Sequence, residues 1–182
     1  MKELGPEGVY YGGYGYATFP FAEAFRALDW DPPRVMGTAF MFYSNSNEWA
    51  AGLEGWHGVD QLGEDGTNPN YEAMVARFEA RFGRPTRNVV VALAYDTARV
   101  AIHGIANAAI PEPRWVKEGM ERIRWMPATN GGPSCYIQFG PHDRKGYKGD
   151  FVTIRELRGG ELRFDGYHRP EWPSNDAPAA GA

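Results

Sequence analysis

Apolar positions along the first third of the chain alternate between short β-branched or aromatic runs and one helical stripe. Residues 9–13 read as a strand. Thr18 then caps a helix with Pro20 in its first turn, and Phe21, Ala24, Phe25 and Leu28 fall at the i, i+3, i+4, i+7 spacing of one buried face. Asp31-Pro32-Pro33 stops that helix. Residues 34–38 read as a second strand, Ser46 as the cap of a short helix carrying Trp49 and Leu53, and residues 56–61 as a third strand. Strand and helix in alternation are the pattern of a parallel α/β sheet, so the three strands are expected to be neighbours.

The polar stretch 63–70 predicts a crossing between two bodies, drawn as a hinge strand. Asn68 then caps and Pro69 opens a helix whose Tyr71, Met74, Val75, Phe78 and Phe82 form one apolar stripe, ended by Gly83 and Pro85. A second helix, 88–108, is apolar almost all round and is expected to be buried between layers. A third, 112–125, directs Val116, Met120 and Ile123 inward. In the last third the period changes to two. Residues 134–139 read as a strand, and 147–157 pairs through Arg158-Gly159-Gly160 with 161–167 as a hairpin. After His168 the chain is rich in Pro, Ala and Asn and is expected to be a loose tail.

Composition narrows the function classes. With 43% hydrophobic and 14% aromatic residues the chain can bury one full core or parts of two. Nineteen basic against 23 acidic residues give a net charge of −4 without a basic field, which argues against nucleic acid as a partner. The single cysteine, Cys135, has no partner for an internal disulfide and alternates with Ile137 and Phe139 as a small core residue. Residues 1–8 carry no apolar signal-peptide core, so the chain as written is expected to stay in the cytoplasm, and no apolar run is read as long enough to span a bilayer.

Four segments, in order, carry a resemblance. They are Val9-Tyr10-Tyr11-Gly12-Gly13-Tyr14, Arg34-Val35-Met36-Gly37-Thr38-Ala39, the helical Ala92-Leu93-Ala94-Tyr95-Asp96-Thr97-Ala98-Arg99, and Gly140-Pro141-His142-Asp143-Arg144-Lys145-Gly146-Tyr147 ahead of a hairpin. Together, over residues 9–164, they resemble the type I periplasmic solute-binding proteins of ABC importers, in the leucine/isoleucine/valine-binding branch. The resemblance implies an α/β fold of two three-layer, Rossmann-like lobes joined by three crossings and closing on a solute. Here the fold would be incomplete, with a carboxyl-terminal β-hairpin. Residues 1–65 would be the later half of the second lobe, 66–146 the closing part of the first, 147–167 the hairpin returning to the second, and 168–182 the tail. The implied protein is no enzyme, holds neither metal nor cofactor, takes a small solute, and meets the membrane only through its permease subunits. The full-length member would be periplasmic. A ligand-sensing receptor domain shares the same fold and is the first alternative.

The resemblance puts Tyr14 in the cleft, against the ammonium end of an amino acid, and a phenol offers such a cation both a π face and an oxygen. Thr38, Ala39 and Phe40 occupy the next contact, where amino-acid-binding members carry a carboxylate after the Met-Gly. No acid stands there, and a desolvated ammonium without an ionic partner is costly. An amide, aromatic acid or other small organic solute is therefore favoured, and Phe40, Phe42 and Tyr43 suit an aromatic pocket or, equally, a core.

Other residues offer less. His57, His103, His142 and His168 are scattered, with no second ligand at helical spacing. His103 is expected to be a buried structural histidine. His142 with Asp143, or His57 with Asp60, would serve a small α/β hydrolase only if a nucleophile lay within reach. Gly13-Tyr14-Gly15 begins like a dinucleotide fingerprint, but Thr18 stands where its third glycine belongs.

Overall fold

The computed structural model describes residues 2–13, 18–37 and 51–167. The chain runs β1 (Val9–Tyr11), α1 (Thr18–Ala27), β2 (Arg34–Met36), β3 (His57–Asp60), α2 (Pro69–Phe82), α3 (Val89–Ala106), α4 (Pro113–Met120), β4 (Met126–Pro127), β5 (Tyr136–Ile137), β6 (Tyr147–Lys148), β7 (Thr153–Arg158) and β8 (Glu161–Tyr167), with single 3-10 turns at Lys2–Leu4 and Ala51–Leu53. The strands form two sheets. One has the order β1-β2-β3-β7-β8 and the other β4-β5-β6.

The first three strands are parallel neighbours, as their alternation with helix predicts. β7 then joins β3 antiparallel, and Gly159 and Gly160, both at positive φ, turn the chain into β8. Ala22, Phe25, Met36, Leu53, Trp56 and Leu157 close the core of this sheet. Fully buried, large side chains such as Met36, Leu53 and Leu157 each contribute roughly 1.5–3 kcal/mol. The expected face of α1 is corrected: Ala24 and Leu28 are exposed, and the buried line runs Thr18, Ala22, Phe25. Phe25 packs edge-on against Trp56 and stacks on Trp30, and that pairing sets the helix rotation. Thr18 is the first residue of the helix rather than its cap, and its buried hydroxyl has no hydrogen-bond partner among the described residues. Ser46, Trp49 and the tail 168–182 lie outside the described residues.

The second body begins with α2, whose signals act as read. Asn68 Oδ1 accepts from the Asn70 and Tyr71 amides, Pro69 opens the helix, and Gly83 ends it at φ 69°. Tyr71, Met74 and Val75 are buried against Val89 and Ala92 of α3, whereas Phe82 is exposed. Two expectations for α3 are corrected. Its Val90, Ile102 and Ile105 are exposed, because α2, α4 and the small sheet cover only one side. By length and composition alone it is also apolar enough to cross a membrane, yet Asp96 at its middle is buried among polar partners. Helix α4 stops at Met120, short of 125, since Arg122 and Ile123 close 3-10-type bonds and Trp125 turns to φ 52°. Ile123 is still buried, with Met120 beside it.

The expected strand 147–157 is broken at Gly149, at φ 80°: Tyr147–Lys148 belongs to the small sheet and Thr153–Arg158 to the large one. The chain therefore leaves the five-stranded sheet after β3, builds the second body, and returns at β7. The hinge strand expected over 63–70 is absent. A turn closed by Thr67 on the Glu64 carbonyl takes its place, and the only strand-like pairing near it in the described residues is the Leu62–Gly131 bridge.

Candidate functional site

Parallel strands β1, β2 and β3 end at Tyr11, Met36 and Asp60 on one edge of the sheet, the edge from which the chain departs for the second body. Ligands of open α/β sheets settle at such carboxyl edges, and the free amides of a following helix favour an anionic group there. The segments that continue from β1 and β2 hold Tyr14, Thr38, Ala39 and Phe40, and all four lie outside the described residues, as do Phe42 and Tyr43. Their described flanks are tightly built. The Tyr11 ring stacks on Phe21 at 4.3 Å, Phe21 meets Trp56 edge-on, and the Gly37 amide donates to the Tyr11 carbonyl at 3.0 Å. Tyr11 also folds over Gly13, where any Cβ would overlap its ring.

Beside that edge, three passes of the chain are bound together. The Gly131 amide donates to the Gln61 carbonyl at 2.6 Å, the Gly132 amide to the Asp150 carbonyl at 2.9 Å, and Thr153 Oγ1 to the Leu62 carbonyl at 2.9 Å. Asn68 Nδ2 reaches the carbonyls of Ala128 and Gly131 at 3.3 and 3.1 Å. Arg155, almost wholly buried, donates to the Gly63 carbonyl and lies 3.5 Å from Asp60. Burial pushes the Asp60 carboxyl above its ordinary pKa, against the pull of the Gln61 and Leu62 amides and of Arg155.

A second buried carboxylate, Asp96, organises the other side. Its Oδ2 accepts from the Thr129 amide at 2.9 Å, the Tyr147 hydroxyl at 3.1 Å and Asn130 Nδ2 at 3.3 Å, and its Oδ1 from Arg99 at 3.2 Å. Burial and the neighbouring Asp96 charge raise the Tyr147 pKa, so its phenol remains a donor. Two buried acceptors at the junction, Gln61 Oε1 and Asn130 Oδ1, have no hydrogen-bond partner among the described residues. The arrangement can hold two bodies in register about one seam. The sequence had offered one cue to it, an acid inside the apolar Ala92–Arg99 segment.

The remaining candidates are dispersed. Asp60 and His57 point to opposite faces of β3, and His57 Nε2 lies 3.7 Å from Asp165 instead. Asp143 is held by Lys148 Nζ at 2.7 Å and the Lys145 amide, which keep its carboxyl below the usual range. His103 is exposed rather than buried, a correction that follows from the bare outer side of α3. Cys135 is buried as expected, and burial, with the Asp96 and Asp150 charges, pushes its thiol up to about 12. The native protein should therefore stay unlabelled by a thiol-reactive disulfide reagent at about pH 8 and react fully once unfolded. Fast labelling of the native state would contradict this burial.

The family follows from comparison. A family model described as periplasmic binding protein matches residues 1–153, and the chain belongs to that family. Its fold is the type I form. A leucine-binding protein from Thermotoga maritima superposes with a TM-score of 0.73 at 18% identity, over 93% of this chain and 46% of that one. The type 1 periplasmic binding protein of Bordetella pertussis gives 0.72 at 19%, over 91% and 47%. A solute-binding protein of an ABC transporter from R. palustris, in complex with benzoate, gives 0.67 at 17%, over 91% and 44%. The chain thus spans under half the length of these relatives. No curated protein matches it.

Proposed function

We propose that this chain is the carboxyl-terminal portion of the substrate-binding component of an ABC importer. It would hold a small amino-acid-like, amide or aromatic solute between two lobes and present the closed form to permease subunits. The observation that carries the reading is the seam. One chain leaves a parallel sheet at its carboxyl edge, builds a second body, and comes back through Thr153 beside the point of exit. Residues 1–65 are assigned to the later half of one lobe, 66–146 to the closing part of the other, and 147–167 to the return. Tyr14, Thr38, Ala39 and Phe40 follow the ends of β1 and β2, where a solute would meet the amino end of α1. The role is capture without turnover, and the full-length protein works in the periplasm.

Thermal melting against branched-chain amino acids, amides and aromatic carboxylates tests the reading. A matching solute at a hundredfold excess over Kd adds about 2.7 kcal/mol, a rise of roughly 5–10 °C, because it binds the folded state alone. Tyr14→Ala is expected to abolish the rise. A protein that melts cooperatively and responds to no member of the panel would remove the proposal.

A further inference from the structure

A cavity of about 410 Å³ lies between α3 and the segment that joins α4 to β4. Arg99 and His103 line it from α3, and Arg122, Arg124 and Trp125 from the joining segment. Among the described residues, no acidic residue lines it. Of the acids nearby, Glu121 is engaged by Lys117 at 3.1 Å and Arg144 at 2.6 Å, and Asp96 by the donors already described.

The three guanidinium groups are fixed in place, each through one terminal nitrogen. Nη1 of Arg99 donates to Asp96 and to the Pro127 carbonyl at 2.7 Å, Nη1 of Arg122 to the Asn107 carbonyl at 3.0 Å, and Nη1 of Arg124 to the carbonyls of Glu121, Ile123 and Phe139. Among the described residues, Nε and Nη2 of all three forks make no hydrogen bond, so donors held in fixed directions stay open to a ligand. Trp125 completes the lining in an unusual state. It is 68% exposed, its backbone sits at φ 52°, which L residues avoid, and its ring leans on Tyr136 at 4.3 Å. A strained backbone that presents a large indole to solvent beside three prearranged cations is a constellation for an anion with a flat face.

We propose that this cavity binds a small anion carrying a planar apolar ring, with the carboxylate or phosphate on the arginine forks and the ring against Trp125. A free aromatic carboxylate and a nucleotide share that chemistry. The site is separate from the cleft at the ends of β1 and β2 and does not rest on the import reading.

Calorimetric titration of the 182-residue protein at low salt with benzoate, benzamide, adenosine monophosphate and inorganic phosphate tests it. Saturable binding of benzoate or of the nucleotide is expected, and which of the two binds tells the sources apart. Benzamide, isosteric but uncharged, should not bind. Arg122→Gln should weaken the bound anion about tenfold or more, as the loss of one hydrogen bond to a charged group would. Trp125→Ala, at an exposed side chain, should reduce nucleotide binding to the level of inorganic phosphate while the fold is kept. Added salt should weaken it. The proposal is overturned if neither benzoate nor the nucleotide binds at millimolar concentration, if the one that binds is matched by its control (benzamide for benzoate, inorganic phosphate for the nucleotide), or if Trp125→Ala binds as the parent does.

Discussion

Replacing Asp96 by alanine is expected to lower the melting temperature by about 6–20 °C, from a loss of roughly 3–5 kcal/mol at about 2–4 °C per kcal/mol for a chain of this size. The carboxylate is 1% exposed and accepts from four donors. Those donors do not suffer equally. Arg99 keeps a quarter of its side chain in solvent and a bond to the Pro127 carbonyl, so water can take up its lost contact. The Thr129 amide and the Asn130 side chain are buried to within 1% and have no such recourse, and a buried donor left without an acceptor costs about 1–3 kcal/mol. Asp96→Asn keeps one acceptor oxygen but turns an amide toward donors, so it should fall between the parent and alanine. Thermal melts followed by circular dichroism measure all three. An alanine variant that melts within about 2 °C of the parent would mean that the network carries little of the stability.

Where structure is decided locally, the sequence was readable. Asn68, Pro69 and Gly83 set the ends of α2 through bonds within a few residues, and the Gly159-Gly160 turn fixes the β7–β8 hairpin in the same way. Distant contacts decided the rest. In α1, Phe25 belongs equally to the stripe 21-24-25-28 and to the line 18-22-25, and Trp56, thirty-one residues further on, chooses between them. The all-round apolarity of α3 predicts cover on every side, but packing covers one side and leaves Ile102 and Ile105 bare.

The site was legible in a different measure. Its approach, the ends of β1 and β2 with Gly12 and Gly13 after the first, is visible in residues 9–13 and 34–37. The seam was not. Leu62 meets Thr153 and Gly63 meets Arg155 across about ninety residues, and no periodicity links them. What the sequence held was indirect: Asp96, an acid in an apolar helix, whereas Asp60 shares its strand with His57 and Arg155 stands beside Glu156 and Arg158. A charge at a core position signals a buried partner without saying where that partner lies.

Gly119→Ala is expected to cost about 3 kcal/mol, a fall of roughly 6–12 °C, although alanine is the better helix former by about 1 kcal/mol. At Gly119 a Cβ would overlap the Gly104 carbonyl oxygen and stand 3.1 Å from the Ala108 amide nitrogen, so backbone obstructs it and α3 and α4 must separate. Gly104 faces the same crossing from the other helix, and there the tightest neighbour of an added Cβ is Met120 Cγ at 2.6 Å. A methionine side chain can turn aside where a carbonyl cannot. Gly104→Ala should therefore cost less than Gly119→Ala, since Met120 Cγ can be moved by a change of χ1 and the helix-propensity gain offsets part of that. The pair is its own control, because composition and helix content change identically in both variants. If Gly119→Ala melts as high as Gly104→Ala, the close approach of the two backbones is not what holds α4 against α3, and Val116, Met120 and Ile123 must supply the contact.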